Sequence, residues 1–233
     1  MSFYKPFQNR IPGQVGDLDK TGIITLLFKV PYEERDDEWK QEYFPNIADA
    51  CLEAGVPQVI EGPDGYPYFH LKTPEIDTTF QGFSIKQLTE DFLFQEGVGL
   101  ALNPSKEVPD WVFSYGDIVN YKAAGEFYSE PGKWQQFDPA VKTVSINPPA
   151  EVLPPEARTV LRRYLQDYKI NTPKIALIKD REEHLQLMFE IPAGLFRHED
   201  VRDDVGHSLS WFLPKHYTYQ WTDPDKAIDW FEI

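Results

Sequence analysis

The chain has 233 residues and carries 38 acidic against 23 basic side chains, a formal net charge of −15 at pH 7. Such a field repels phosphate backbones and anionic lipids, which argues against nucleic-acid binding and against a role at a membrane surface. Hydrophobic residues make up 41% of the sequence, so we expect a globular protein and not a disordered chain.

The single cysteine, Cys51, argues against a disulfide framework and against cysteine-based zinc or iron–sulfur sites. The opening residues, MSFYKPFQNR, lack the apolar core of a signal peptide, and nowhere do 18 apolar residues run together. We therefore expect a cytoplasmic location and no membrane-spanning segment.

Two elements are predicted before residue 55. Residues 22–30, GIITLLFKV, are rich in β-branched side chains and predict a buried strand. Residues 33–54 predict an amphipathic helix that Pro45 kinks or divides and that Gly55 follows. The apolar stripe of this helix consists of Trp39, Tyr43, Ile47 and Cys51.

Short strands and a capped helix follow. Strands are predicted at 56–60 and 66–71, and a weaker one at 75–80, separated by glycine and proline turns. Ser84 and Gln87 form a capping-box pattern at the start of a helix through Glu96.

The next segment predicts a strand and a second capped helix. In residues 97–104, GVGLALNP, small residues alternate with apolar ones, which indicates a strand that another backbone or helix approaches closely. Ser114 and Asp117 repeat the capping pattern, and Gly125 is the expected end of that helix.

The second half begins with a proline-rich stretch and then shows clear periodicity. Residues 155–168 predict the most amphipathic helix of the chain. Residues 174–180 and 184–191 predict a β-hairpin, and residues 199–213 predict a helix that Pro214 stops. A last strand is predicted at 216–221, and a short helix after Asp223 is expected to carry Ile228 and Phe231.

This order of elements predicts an α+β protein of two small mixed α/β domains with largely antiparallel sheets. We expect an N-terminal domain at 1–130, a proline-rich linker at 131–153 and a C-terminal domain at 154–233. Residues 1–130 carry 10 basic and 22 acidic groups, a net charge of −12, whereas residues 131–233 carry 13 and 16, a net charge of −3. The acidic excess therefore lies in the first domain.

The segment HEDVRDDVGH, residues 198–207, is a candidate metal site. On a helix, Asp200, Asp203, Asp204 and His207 share one polar face, which is able to contact a divalent cation. Acidic residues are also favoured at helix starts by the macrodipole, without any ion. We favour the helix start and keep Asp200, Asp204 and His207 as the metal-binding alternative.

Aromatic residues outside the periodic segments are candidate contact residues for a partner. Trp134 in the linker and Trp230 in the tail are the two whose burial the sequence predicts least, and Phe231 beside Trp230 is a further candidate contact residue. Cys51 is interpreted as a small core residue, since it lies on the apolar stripe of a predicted helix. No histidine shows metal-ligand spacing to another, and no cofactor is expected.

Two segments are similar to a known family. Residues 94–113, FQEGVGLALNPSKEVPDWVF, resemble the N-terminal domain of the SseB (enhanced serine sensitivity) family, where a helix leads into a G-x-G-x-x-x-NP strand and turn. Residues 153–191 resemble the start of its C-terminal domain. The resemblance implies a two-domain bacterial cytosolic α+β protein, and it assigns no catalytic residues to this chain. It also implies an adaptor, chaperone or immunity role, because relatives are associated with secretion and toxin delivery.

These observations favour a non-enzymatic role. The sequence contains no nucleophile elbow, P-loop, dinucleotide fingerprint or H-E-x-x-H motif. The leading hypothesis is a protein-binding module whose acidic N-terminal domain meets a basic toxin or secreted protein. The alternatives are a metal-assisted hydrolase that uses the Asp/His helix face, and a structural homodimer in which residues 227–233, AIDWFEI, dock on a second copy.

Overall fold

A computed structural model describes residues 16–75, 78–132, 144–179, 185–225 and 228–233. The chain divides into two compact units, residues up to Tyr128 and residues from Ser129 onward. The division falls two residues before the expected end of the first domain, and residues 133–143 of the expected linker lie outside the described part. Each unit combines helices with a mixed, mainly antiparallel sheet, so the predicted α+β class is confirmed.

The first unit opens with a helix where a strand was predicted. Helix α1 spans Leu18–Leu27, and the Asp17 carboxylate caps it by accepting hydrogen bonds from the backbone N–H groups of Asp19 and Lys20. Its buried residues, Thr21, Ile24 and Leu27, recur every three positions, as on a helix. The prediction of a strand at 22–30 was wrong. The β-branched residues of this segment favour a strand, but the Asp17 N-cap starts a helix.

Helix α2, Asp37–Ile47, follows a single 3-10 turn at Tyr32–Glu34. The Asp36 carboxylate caps α2, and Trp39, Tyr43 and Ile47 are buried, as predicted. The helix ends before Cys51, however, and Gly55 belongs to a strand. The predicted helix was therefore too long by two turns.

Five strands form the first sheet of the described residues, in the order β3-β1-β2-β4-β5. They are β1 Leu52–Glu61, β2 Pro67–Lys72, β3 Gly82–Phe83, β4 Gly99–Leu102 and β5 Trp111–Phe113. Strands β2 and β4 are parallel, and the other pairs are antiparallel. The weaker strand that was predicted at 75–80 does not form in the described residues of that range, 75 and 78–80. The expected close approach at β4 is confirmed, because a Cβ on Gly99 would lie 2.6 Å from the carbonyl oxygen of Phe113.

Both predicted N-caps are present in the helices of this unit, but only the second is a full capping box. Helix α3, Ile85–Leu88, continues through a π-helical turn at Thr89–Leu93 into α4, Phe94–Glu96. The Ser84 hydroxyl accepts from the N–H of Gln87. Helix α5, Tyr115–Ala124, has the full reciprocal capping box of Ser114 and Asp117, and Gly125 ends it with φ 77°.

The described residues of the second unit form a sheet of β6 Val144–Ile146, β7 Lys174–Lys179, β8 Leu185–Glu190, β9 Tyr219–Thr222 and β10 Phe231–Glu232. The predicted hairpin is the antiparallel pair β7–β8, and β9 joins β8 in parallel. Helices α6, Pro155–Asp167, and α7, Glu199–Phe212, lie where they were predicted.

The tail of the second unit is a strand, so the prediction of a helix there was wrong. Phe231 pairs with Ile175 in β7. Ile228 is buried against Ala176, Ile178 and Met188, and Trp230 packs on the same cluster. The tail thus covers one face of the sheet, and this long-range burial overrides the local Asp-Pro helix signal. None of the helices in the described ranges combines the length and the apolar content needed to cross a membrane.

Candidate functional site

A buried ion pair holds the segment that leads into α2. The Arg35 guanidinium donates from Nη2 to Oδ1 of Asp110 at 3.2 Å, and these two side chains are only 5% and 6% exposed. The guanidinium carbon also lies 5.0 to 5.6 Å from the centroids of three rings, which belong to Phe28, Tyr32 and Trp39. Ion pairing and cation–π contacts together fix this segment against the β4–β5 turn.

The β4–β5 turn is itself held by Asn103, the asparagine of the Asn-Pro pair. Asn103 has φ 49°, and its Oδ1 accepts from the N–H of Thr73 at 3.0 Å. Its Nδ2 donates to Oδ2 of Asp110 at 2.7 Å, and Lys106 pairs with the same carboxylate. Asparagine suits this position because it tolerates a left-handed backbone while its amide bonds in two directions.

Next to this network lies a cluster of partly exposed rings, which we call the aromatic surface: Phe44, Trp111 and Tyr128. Phe44 meets Trp111 edge to face with centroids 5.6 Å apart, and it stacks on Tyr128 at 5.5 Å. Trp111 in turn stacks on the buried Trp39 at 5.5 Å. The aromatic surface is therefore the outer layer of the rigid aromatic core beneath α2.

Exposed carboxylates follow helix α2 and the turn before it, along residues 33–42, which we call the acidic segment. Its acidic residues are Glu33, Glu34, Asp36, Asp37, Glu38 and Glu42, all exposed. Of its two basic residues, Arg35 is turned inward to Asp110, and Lys40 binds Asp37 at 2.8 Å. The Lys40 hydrogen bond, followed by the Lys40 charge, lowers the pKa of the Asp37 carboxyl. The outward charge of the segment is therefore strongly negative.

Helix α2 carries both the larger part of the acidic segment and one ring of the aromatic surface. Asp37, Lys40 and Phe44 follow one flank of α2, with Lys40 and Phe44 four residues apart. The pKa of Lys40 is raised, first by its hydrogen bond to Asp37 and to a smaller extent by the nearby Tyr128. Glu38 and Glu42 follow the opposite flank. Helix α2 therefore carries the Phe44 ring and exposed carboxylates on both of its flanks.

Most of this site is not predicted by the sequence. Phe44 lies off the buried stripe of α2, and an aromatic residue at such a position is the one signal that the sequence contains. No comparable signal marks Trp111 or Tyr128. The acidic excess of the first domain is visible in the sequence, but the inward turn of Arg35 depends on a partner 75 residues away.

The residues of the metal-binding alternative lie on α7 but show no ligand geometry. Asp200, Asp204 and His207 are exposed, and within the described ranges no group of three or more His, Cys, Asp or Glu side chains is arranged to hold a metal ion. Asp203 instead accepts from the indole N–H of Trp221 at 3.3 Å, and the His207 ring packs against Trp221. The metal site stays a prediction.

The aromatic candidates of the linker and tail have different positions. Trp134 lies outside the described residues. The Trp230 ring packs on the cluster under the tail, and its indole N–H donates to the carbonyl oxygen of Asp225 at 3.1 Å. Phe231 is half-buried in β10, paired with β7. Trp230 and Phe231 therefore contribute to the sheet of their own unit, and their role as partner contacts stays a prediction.

Cys51, which is buried, and His70, which is half-buried, have shifted pKa values. Cys51 is fully buried just before β1, and burial raises the pKa of its thiol, which supports the interpretation as a core residue. Burial is also the main cause that lowers the pKa of the His70 imidazole. The ring of His70 lies over Gly55, where a Cβ would be 2.1 Å from Nδ1.

No protein-family model matches the chain, and comparisons with curated proteins and with solved structures also gave no match. The resemblance to the SseB family stays a prediction.

Proposed function

We propose that the chain is a non-catalytic protein-binding module whose first unit binds a basic segment of a partner protein. The aromatic surface supplies the apolar contacts, and the acidic segment supplies the complementary charge. The observation that supports this proposal is a cluster of three partly exposed rings, packed around Phe44, on a helix that also carries exposed carboxylates.

Aromatic residues of this kind are typical centres of binding energy. Interfaces concentrate their affinity in a few aromatic and arginine side chains, surrounded by contacts that exclude water. Phe44 and Trp111 are already immobilised by the core, so a partner would bury them with little loss of side-chain entropy. A rigid anchor of this type favours a specific partner over non-specific adhesion.

The charge around the rings indicates the chemistry of the partner. Carboxylates on both flanks of α2 attract lysine and arginine side chains and repel acidic surfaces. With net charge −12 in residues 1–130, the field also increases the rate of encounter with a basic protein at low salt. An immunity protein, an adaptor and a chaperone each bind a partner protein, so the proposed binding is compatible with all three roles.

Affinity capture from the native host with matched variants tests this proposal. The protein and the variant Phe44→Ser/Tyr128→Ser serve as baits, and Val56→Ser is the control because Val56 is 95% exposed in the same unit. We expect one basic protein that the wild type and Val56→Ser retain and that Phe44→Ser/Tyr128→Ser loses. The captured protein is then purified, and its binding is measured with the same variants.

Charge variants provide a second arm of the experiment. Glu38→Lys/Glu42→Lys reverses both carboxylates on one flank of α2, whereas Glu61→Lys changes an exposed carboxylate at the end of β1. The first should weaken binding about tenfold or more at low salt, and the second should not. Equal capture by all of these baits would contradict the proposal.

A further inference from the structure

The second unit contains a cleft of about 460 Å³ along β9, lined by Gly132, His207 and residues 217–221. Sites for small molecules have volumes of roughly 300–1,000 Å³, so the cleft is large enough to hold one. Tyr217, Tyr219 and Trp221 alternate along the chain here and give the cleft an aromatic wall.

The polar atoms of these rings already bond within the protein. The Tyr217 hydroxyl donates to the carbonyl oxygen of Val152 at 2.8 Å, and the Tyr219 hydroxyl donates to that of His207 at 3.2 Å. The indole N–H of Trp221 donates to Asp203. The rings are therefore fixed in orientation, and their faces are the groups that remain for a ligand.

Trp221 lines the cleft and packs on helix α7. One side of its ring lies on Gly206, where a Cβ would be 2.2 Å from Cδ2 of the indole. Trp221 is half-buried, and the His207 ring packs against it at 4.9 Å in a nearly perpendicular orientation. The exposed part of the indole is therefore next to His207, inside the cleft.

Carboxylates follow the face of α7 that leads to His207, which lines the cleft. Asp204 lies one helical turn before His207 on α7, Asp200 lies one turn further back, and both are exposed. Asp203 accepts the indole hydrogen, which places a carboxylate directly at the edge of Trp221. Electron-rich ring faces together with carboxylates are the groups that bind organic cations.

We infer that this cleft binds an organic cation of the alkylammonium class, with Trp221 and Tyr219 as the ring surfaces and the α7 carboxylates as counter-charges. This site gives the HEDVRDDVGH segment a role in which its carboxylates attract an ammonium group and ligate no metal. It lies in the second unit and does not depend on the proposed function of the first.

A titration followed by NMR tests the inference on the full ¹⁵N-labelled chain. The probes are choline chloride, its uncharged isostere 3,3-dimethylbutan-1-ol, and NaCl at matched ionic strength. The indole N–H signal of Trp221 is assigned by its loss in Trp221→Phe. We expect choline to shift the signals of Trp221 and His207 saturably, while the isostere and NaCl leave them in place. A parallel titration with Nα-acetyl-lysine methylamide distinguishes a free head group from a lysine side chain of a protein.

Variants separate the contributions of ring and charge. Trp221→Leu should weaken choline binding roughly tenfold or more, and Asp204→Asn roughly two- to fivefold at low salt. Glu156→Gln, an exposed carboxylate at the start of α6, is the matched control and should leave affinity unchanged. If Trp221→Leu fails to fold, Tyr219→Leu replaces it.

Two results would overturn the inference. The first is the absence of a saturable shift at tens of millimolar choline, since a desolvated cation–π contact of about 2 kcal/mol corresponds to a Kd in that range. The second is equal binding of the uncharged isostere, which would make the cleft merely apolar.

Discussion

Arg35 and Asp110 form an ion pair that is almost completely buried, with Nη2 and Oδ1 3.2 Å apart. Removing one partner of such a pair leaves an uncompensated charge in the protein interior, which costs about 3–5 kcal/mol. Since this pair holds the loop before α2 against the β4–β5 turn, it also positions the acidic segment and Trp111.

We therefore expect Asp110→Ala to lower the free energy of unfolding of the first unit by about 3 kcal/mol or more. Urea denaturation followed by tryptophan fluorescence measures the change. Asp37→Asn is the control, because it breaks the exposed pair with Lys40 and should leave the unfolding midpoint nearly unchanged. Equal effects of the two variants would mean that the Arg35–Asp110 pair is not buried in solution.

A substitution at Gly22 tests whether residues 18–27 form helix α1 and not the predicted strand. Gly22 lies inside α1, it is exposed, and a Cβ there would meet no described atom within 4 Å. Gly22→Ala should therefore raise the stability of the first unit by about 0.5–1 kcal/mol, since glycine is a poor helix residue. A loss of stability in the same urea experiment would favour the strand at 22–30.

Gly206 tests the close contact between α7 and Trp221. A Cβ there would overlap the indole ring, so Gly206→Ala should destabilise the second unit by about 1–3 kcal/mol. Gly194→Ala is the matched control, because a Cβ at that position would meet no described atom within 4 Å. Thermal melts of the two variants give the comparison. An unchanged melting temperature for Gly206→Ala would mean that Trp221 does not pack on Gly206.

The lowered pKa of His70 predicts a loss of stability in acid. Below the ordinary histidine pKa of about 6.5, the unfolded chain binds a proton that folded His70 does not, so unfolding becomes more favourable. The contribution of neutral His70 to the free energy of unfolding is fully present above about pH 6.5. It is lost as the pH falls from there to the lower pKa of the folded state.

An NMR titration of the His70 ring should give a midpoint below 6.5, and His70→Asn should reduce the dependence of stability on pH between pH 7 and 5. A midpoint at or above the ordinary value would refute burial as the dominant influence on this ring.

Local signals in the sequence predicted much of the fold. The Ser114/Asp117 capping box and Gly125 define α5 by contacts within four residues or by a single backbone angle, so one sequence suffices to find them. The Trp39–Tyr43–Ile47 stripe is likewise a property of one helix.

The errors and omissions depend on residues that are distant in the sequence. Phe231 forms a strand because β7 offers it a pairing edge, and Ile228 finds a cluster of β7 and β8 side chains. Cys51 is buried beside β1 and not on a helix, because its backbone N–H bonds to the side chain of Thr21 in α1. Single-sequence periodicity contains no information about such partners.

The same limit applied to both candidate sites. The aromatic surface requires Phe44, Trp111 and Tyr128 to meet from three separate segments. In the cleft, the sequence placed Asp200, Asp204 and His207 on one helix face, but it did not indicate that Trp221 would pack beside His207.

The central claim is that the aromatic surface and the acidic segment bind a basic protein segment. Photo-crosslinking from residue 44 tests it most directly, with p-benzoylphenylalanine replacing Phe44 in the native host and the same substitution at Val56 as the control. We predict one dominant crosslinked protein from position 44, attached through a lysine- or arginine-rich segment, which is absent from position 56 and reduced by Glu38→Lys/Glu42→Lys. The same crosslinked proteins from both positions, or an acidic segment at the crosslink, would contradict the account.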